Sequence, residues 1–322
     1  LTFATLLLVL GCLSLGVAAS VITLFFALFL LRLGGQGLMA HIALTTMAQR
    51  FHSGRGKAVS VAAMGLPLAE AMFPAGAVAA MIWLEWHHVW LGGGLILVVF
   101  LPFLLWLLGD MQGGTVADTG QTAGPGIRDF SRREVLRDWR FVLIVPAAVT
   151  PAFVITIAFF YQIPLAEDKG WSTELVASGL ALFALGHVIG LLGAGPMVDR
   201  FSGTRLLVPS MLPMLGSMLV LTLFDGTWAA LLWPALLGLG QGIAATALTA
   251  LLAEQFGLTH LGAIRAMLQS LMIVSTAIGP PLIGSLLDTG VSPRALAGGL
   301  AIEILIAITL AQIALLAYKR SC

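Results

Sequence analysis

Charge is what this sequence has least of. Asp, Glu, Lys and Arg make up 10% of its 322 residues, against roughly a quarter in a soluble globular chain. With 59% hydrophobic residues and a mean hydropathy of +1.02, the chain cannot cover its apolar surface in water, and lipid must be its solvent. Cysteine is nearly absent. Cys12 sits inside an apolar run and Cys322 at the terminus, a placement that gives neither a disulfide framework nor a cysteine metal site. The spacings of a phosphate loop, a Cys/His cluster or a catalytic triad are missing as well. The expectation is therefore a non-enzyme with no cofactor and no metal. A net charge of +1 gives no reason to expect nucleic acid as a partner. Residues 1–19 are apolar but lack the basic start of a signal peptide, so they read as a true span.

What is present is a series of long apolar runs. A helix needs about 20 apolar residues to cross the hydrocarbon core. Ten segments qualify: 1–19, 21–48, 58–83, 89–108, 141–163, 175–197, 206–224, 228–253, 263–287 and 295–318. The basic residues fall on alternate loops. Arg50, Arg55 and Lys57 follow the second segment, and Arg128, Arg132, Arg133, Arg137 and Arg140 follow the fourth. Arg200 and Arg205 follow the sixth, Arg265 the eighth, and Lys319 and Arg320 the tenth, which is 13 of the 16 Lys and Arg residues. By the positive-inside rule these loops, and both ends of the chain, are cytoplasmic. The opposite loops carry Trp83, Trp86, Trp90 and Trp171, which suit an interfacial aromatic belt. A polar linker at 109–140, with a short helix expected at Ser131–Glu134, divides the spans into four and six.

The chain repeats itself. Residues 35–51 read GQGLMAHIALTTMAQRF and residues 240–256 read GQGIAATALTALLAEQF. At an offset of 205, six of seventeen positions are identical: Gly35, Gln36, Gly37, Ala40, Ala48 and Phe51 match Gly240, Gln241, Gly242, Ala245, Ala253 and Phe256. Both copies run the same way through the bilayer, so the repeat is parallel, with its axis along the membrane normal. The fold expected is an all-α membrane protein of two helical bundles related by that pseudo-two-fold axis. Residues 1–109 form an N-terminal bundle of four helices, 110–139 a cytoplasmic linker, and 140–322 a C-terminal six-helix bundle. The offset also puts the start of the first half about 65 residues before Leu1, room for two spans, and predicts a parent protein of six plus six helices.

Three motifs resemble those of the major facilitator superfamily. Gly195-Pro-Met-Val-Asp199-Arg200-Phe-Ser-Gly203-Thr-Arg205 is similar to its cytoplasmic loop motif, G-x-x-x-D-R-x-G-x-R, with one extra residue before the second glycine. Arg32-Leu-Gly-Gly-Gln36-Gly37 is similar to its fourth-helix motif, again one residue longer than usual. Gly279-Pro280-Pro281-Leu-Ile-Gly284 resembles the Gly-Pro pattern of its fifth and eleventh helices. The resemblance covers the whole chain as helices three to twelve. It implies a secondary active transporter in the plasma (inner) membrane that moves a small molecule by alternating access, expected as a monomer. Phe256-Gly257 followed by His260-Leu-Gly-Ala-Ile-Arg265 resembles the monocarboxylate and oxalate/formate branches, which makes a small organic anion the first substrate to test. A hydrophobic drug exporter is the second reading. A non-transporting sensor or inactive fragment is the third.

An ionisable side chain at bilayer depth marks a functional position by default. Arg32 and Glu70 lie about twelve residues into consecutive antiparallel spans, and so at similar depth. His187 is central in the sixth span, and histidine is the side chain that changes charge nearest neutrality. At the fixed offset the second copy has Leu237 where the first has Arg32, Thr246 for His41, and Ser275 or Thr276 for Glu70, so the scaffold does not need those polar groups. Arg32 reads as an anion-binding or proton-coupling cation, or as half of a structural ion pair with Glu70. Glu70 reads as a proton carrier, His187 as a titrating group or a helix-bridging one, and His41 as a packing or gating residue. Gln36 and Gln241 form a symmetric pair, one per bundle. The repeated Gly35, Gly37, Gly240 and Gly242 read as close-packing positions, and Glu303 in the last span as a snorkelling side chain or a structural partner. The family resemblance implies that Arg32 belongs to a central cavity and to proton coupling, and that Tyr161 and Gln162 end a cavity-lining helix. It further implies that Gly195, Asp199, Arg200, Gly203 and Arg205 latch the two bundles at a cytoplasmic gate. The proton is the expected coupling ion.

Overall fold

The structure, a computed structural model, describes residues 1–39, 42–43, 63–109, 130, 132–257 and 260–321. Among these there are helices and no strand. In hydrocarbon each backbone N–H and C=O must find its partner within its own segment, which a helix provides. Contacts divide the chain into two compact units, Leu1–Asp118 and Thr119–Cys322.

The first unit contains α1 (Thr2–Gly16), α2 (Val21–Leu31), α3 (Gly65–Met81) and α4 (Trp86–Gly109). Helix α2 runs on without a break into a π-helical segment, Arg32–Met39. It begins at a capping box: the Ser20 hydroxyl accepts from the Thr23 N–H at 3.2 Å, and the Thr23 hydroxyl accepts from the Ser20 N–H at 3.1 Å. Helix α1 packs on α2, on the π segment and on α4, while α3 touches α4. Small residues set the spacing. A methyl group on Gly11 would lie 3.0 Å from the Leu31 backbone nitrogen, and one on Gly16 would lie 2.5 Å from the Leu91 side chain.

The second unit contains α5 (Arg132–Arg137), which is the short helix expected in the linker, then α6 (Trp139–Phe160), α7 (Gln162–Lys169) and α8 (Thr173–Phe201). It continues with α9 (Gly203–Leu223), α10 (Thr227–Phe256), α11 (Leu261–Asp288) and α12 (Pro293–Ser321). Helices α8 and α10 lie against each other along their length, α9 packs on α10 and α12, and α6 packs on α11 and α12. The α8–α10 seam is built from glycine. An added Cβ would stand 2.2 Å from the Ala235 oxygen at Gly186 and 2.4 Å from the Leu239 oxygen at Gly190. On the facing helix it would stand 2.0 Å from the Phe183 oxygen at Gly238 and 2.4 Å from the His187 oxygen at Gly242. The two backbones touch, and no side chain fits between them. Elsewhere the core is conventional, with Met211, Met214, Met218, Leu237 and Ile264 fully buried. Buried Phe256 meets Phe130, Phe141 and Tyr318 edge-on at 5.5–6.1 Å between centroids.

Among the described residues eight helices are long and apolar enough to cross a membrane, where ten segments were expected. The difference is one of length. Helix α1 is apolar but has 15 residues, and α3 has 17. The expected segments 21–48 and 58–83 both run into residues outside the described set.

One charged clasp lies at the opposite end of the second unit from the α8–α9 turn. Lys169, its side chain fully buried, donates to the Phe224 carbonyl at 2.9 Å and to the Asp225 carboxylate at 2.8 Å. Arg294 pairs with the same carboxylate, and the Trp171 indole N–H donates to the Asp225 carbonyl at 2.7 Å. The Lys169 hydrogen bond, then the Arg294 one, holds the Asp225 carboxyl below its ordinary value of 3.8. A depressed carboxylate contributes stability that is fully present above its ordinary value and is lost as pH falls through the lower folded one. The melting difference between the native protein and Asp225→Asn should therefore be constant from about pH 5 upward and shrink below about pH 3. A difference that instead changed between pH 6 and 8 would assign the clasp to another group.

Candidate functional site

Arg32, half-buried, opens the π-helical segment, and Glu70 is half-buried on α3; each interacts with a neighbouring group. His41 lies outside the described residues, as does the side chain of Gln36. The π winding has a reason in the sequence. The first-copy motif is one residue longer than the family pattern, and a π turn is how a helix absorbs one extra residue.

Packing in the two units dates that residue to the stretch between Arg32 and Gln36. In the second unit a Cβ on Gly240 would meet the Met214 side chain at 2.3 Å, the Met214 nitrogen at 3.1 Å and the Ser210 oxygen at 3.3 Å. In the first unit the same triple contact belongs to Gly34, with the Leu8 side chain at 3.0 Å, the Leu8 nitrogen at 3.1 Å and the Ala4 oxygen at 3.1 Å. All three pairs differ by 206, whereas the sequence motif pairs Gly35 with Gly240 at 205. The close approach thus falls on Gly34. Gly35 meets Leu8 at an ordinary 3.4 Å, and among the described residues nothing lies nearer Gly37 than 3.7 Å. Close packing therefore accounts for Gly240 and Gly242, and in the first unit it falls on Gly34 rather than Gly35. In this register Arg32 corresponds to Gly238 rather than Leu237. The position that tolerates no side chain in the second unit carries an arginine in the first.

The remaining depth residues lie in the second unit. His187 is 5% exposed on α8, edge-on to Phe183 at 5.9 Å, and makes a further interaction. Gln241 is half-buried on α10 between its two glycines. Tyr161 breaks the chain between α6 and α7, and its hydroxyl donates to the Pro280 carbonyl on α11. The next residue, Gln162, buries its side-chain oxygen with no partner among the described residues. Tyr161 and Gln162 are thus brought together by one bend, while Arg32 and Glu70 belong to the other unit.

The α8–α9 turn holds the loop motif. Ser202 adopts φ 74°, ψ 154°, a region that only glycine enters freely. It stands where the family pattern has its second glycine, and Gly203 after it does a different job. A Cβ on Gly203 would lie 2.4 Å from the Leu251 nitrogen and 2.6 Å from the Ala250 Cβ, so its lack of a side chain lets α9 start against α10. Glu254 at the end of α10 closes this junction. Its carboxylate accepts from the Gly203 N–H at 2.8 Å, the Thr204 N–H at 3.0 Å and the Thr204 hydroxyl at 2.7 Å, which satisfies the exposed first turn of α9. Arg200 is exposed with its guanidinium 5.2 Å from the Phe201 ring centre, Arg205 is exposed, and a Cβ on Gly195 would meet nothing within 4 Å. The side chain of Asp199 lies outside the described set. Glu254→Ala should destabilise the protein by about 2 kcal/mol, because it strands two backbone donors; a melting curve superimposable on the native one would contradict this.

The family model of the Major Facilitator Superfamily matches residues 1–181 and again residues 152–321. The chain belongs to the major facilitator superfamily. No curated protein matches it in sequence. Among solved structures it is similar to a Major Facilitator Superfamily transporter, FucP, in the outward conformation. The TM-score is 0.67 with 15% identity, over 97% of this chain and 81% of that one, a likeness that shows the fold alone. This major facilitator chain is therefore a multi-pass membrane protein of a transporter family whose members carry small molecules across the bilayer and are generally not enzymes.

Three contacts of this transporter were not singled out in its sequence as sites. Glu254 had a faint signal: the repeat puts Gln49 at its counterpart, so a charge was gained at a helix end. Glu303, read as a structural partner, has that partner in Thr150, whose hydroxyl donates to it at 2.6 Å from α6; the other carboxylate oxygen is buried with no partner among the described residues. Nothing in the sequence names Thr150. The third, the buried ammonium of Lys169, looks in sequence like an ordinary loop lysine.

Proposed function

We propose that this major facilitator protein is a proton-coupled carrier of a small organic anion, with Arg32 as the anion-facing cation. The observation that carries the reading is a half-buried arginine opening a π-helical turn inside a span, at a register where the other unit has glycine. Unwinding and π turns collect at functional sites, and a charge at that depth costs at least about 2.5–3.5 kcal/mol unless it serves a purpose. Glu70 in the first unit and His187 in the second are the ionisable side chains of the proton pathway. Gln36, Gln241, His41, Tyr161 and Gln162 supply polar lining along the substrate and proton pathway. Two bundles rocking about a midplane site would expose it to either side in turn, with Gly195, Asp199, Arg200, Gly203 and Arg205 as the cytoplasmic latch, a set of charges able to hold one of two states. The basic loops support a cytoplasmic latch and cytoplasmic chain ends, and the membrane we propose is the plasma membrane.

The test is uptake into proteoliposomes. Radiolabelled lactate, formate and oxalate would be offered with and without an imposed pH gradient. The expected result is accumulation above equilibrium for at least one anion, driven by the gradient and abolished by a protonophore. Uptake that ignores the gradient removes the proton, and extrusion of hydrophobic dyes with no anion uptake supports the exporter reading instead.

A further inference from the structure

A cavity of about 570 Å³ opens on the side of the second unit, between the start of α9, the end of α10 and the last turns of α12. Its lining is mixed: Arg205, Glu254, Gln255 and Gln312 are polar, and Val208, Leu315 and Leu316 are apolar. One carboxylate, Glu254, is part of the lining and a second, Asp138, lies just outside it, and both accept hydrogen bonds. Glu254 is held by its three donors at the start of α9. Asp138, behind Tyr318, is gripped by the Arg140 guanidinium at 2.9–3.2 Å. Arg205 is the cation left over: it is exposed and makes no ion pair among the described side chains. Gln255 donates one amide hydrogen to Thr204 at 3.0 Å, and among the described residues the other has no partner. Leu316, half exposed, stands at the rim.

We propose that this cavity binds a membrane phospholipid with an anionic head, its phosphate on Arg205 with the two glutamine amides, and its acyl chain along Val208, Leu315 and Leu316. The position fits, because α9 begins and α12 ends here, at the boundary between hydrocarbon and headgroups. An arginine in a pocket between helices at that level can receive the phosphate of an acidic lipid head, here with the one lining carboxylate, Glu254, already held by three donors. The apolar wall argues for a phosphate that carries a chain: a free phosphate would leave three leucine and valine faces against water.

The test is native mass spectrometry of the purified protein with phosphatidylglycerol or phosphatidylcholine of the same acyl chains. The expected result is one retained phosphatidylglycerol per protein, with phosphatidylcholine released first. Arg205→Ala should weaken retention about fivefold, the contribution of one basic residue near an acidic lipid surface, while Arg205→Lys keeps most of it. Glycerol 3-phosphate in millimolar excess should not displace the lipid. Equal retention of the two lipids, or unchanged retention in Arg205→Ala, overturns the proposal. Displacement by glycerol 3-phosphate reassigns the site to a soluble phosphate. The two competition measurements on the native protein decide the question even if Arg205→Ala does not survive purification.

Discussion

Gly238→Ala should leave almost no folded protein. The added methyl would stand 2.0 Å from the Phe183 carbonyl oxygen, a backbone atom in the middle of a packed helix, and could be relieved only by moving α8 away from α10. Overpacking into side chains costs typically 1–3 kcal/mol. Here nothing flexible can give, and parting the helices also opens the neighbouring contacts at Gly186, Gly190 and Gly242. We expect a loss of at least about 3 kcal/mol, comparable with the whole margin of many domains, read as an early-melting or aggregated peak in fluorescence size-exclusion chromatography. Gly193→Ala is the control. It lies on α8, where a Cβ would meet nothing within 4 Å, so it should be neutral or gain a few tenths of a kcal/mol from the stiffer unfolded chain. If the two variants behave alike, the glycine seam does not hold the unit together.

Arg32→Ala should abolish uptake while leaving the protein folded. A charge-assisted hydrogen bond contributes about 1.5–3 kcal/mol, so the anion's apparent affinity should fall roughly 10- to 100-fold. Arg32→Lys keeps the charge but not the planar fork, and should recover only part of the loss. The competing role for Arg32 is a structural pairing with Glu70. That role predicts a fall in melting temperature for Arg32→Ala that Glu70→Gln then repairs, because neutralising both ends of a pair removes the stranded charge. Binding and uptake at native levels in Arg32→Ala would end the site assignment altogether.

Much of this could be read in advance because hydrocarbon leaves few options. Long apolar runs had to be helices, and helices are what the described residues form. Gly240 and Gly242 were legible for the same reason, since a glycine kept in both copies of a helix points to close packing. Gly35 shows the limit of that logic. The sequence aligns letters, whereas packing aligns backbones, and the extra residue in the first copy moves the close approach to Gly34. The Glu254 clamp and the Thr150–Glu303 hydrogen bond were illegible for a different reason. They join residues 50 and 153 positions apart, and no local pattern encodes which distant helix end or hydroxyl will meet a carboxylate.

The π-helical segment also orders events in time. The glycine that rests on the preceding helix is set in the same three-point contact in both units, so that contact is inherited from the sequence that was doubled. The surplus residue beside Arg32 occurs in one copy and not the other, so it was gained or lost after the doubling. Arginine and the additional residue occupy the same turn, and together they are a single local departure from an older symmetry. Deleting one residue from Gly34-Gly35 would give the first copy the turn of the second, and whether Arg32 still works there would show whether its role depends on the additional residue.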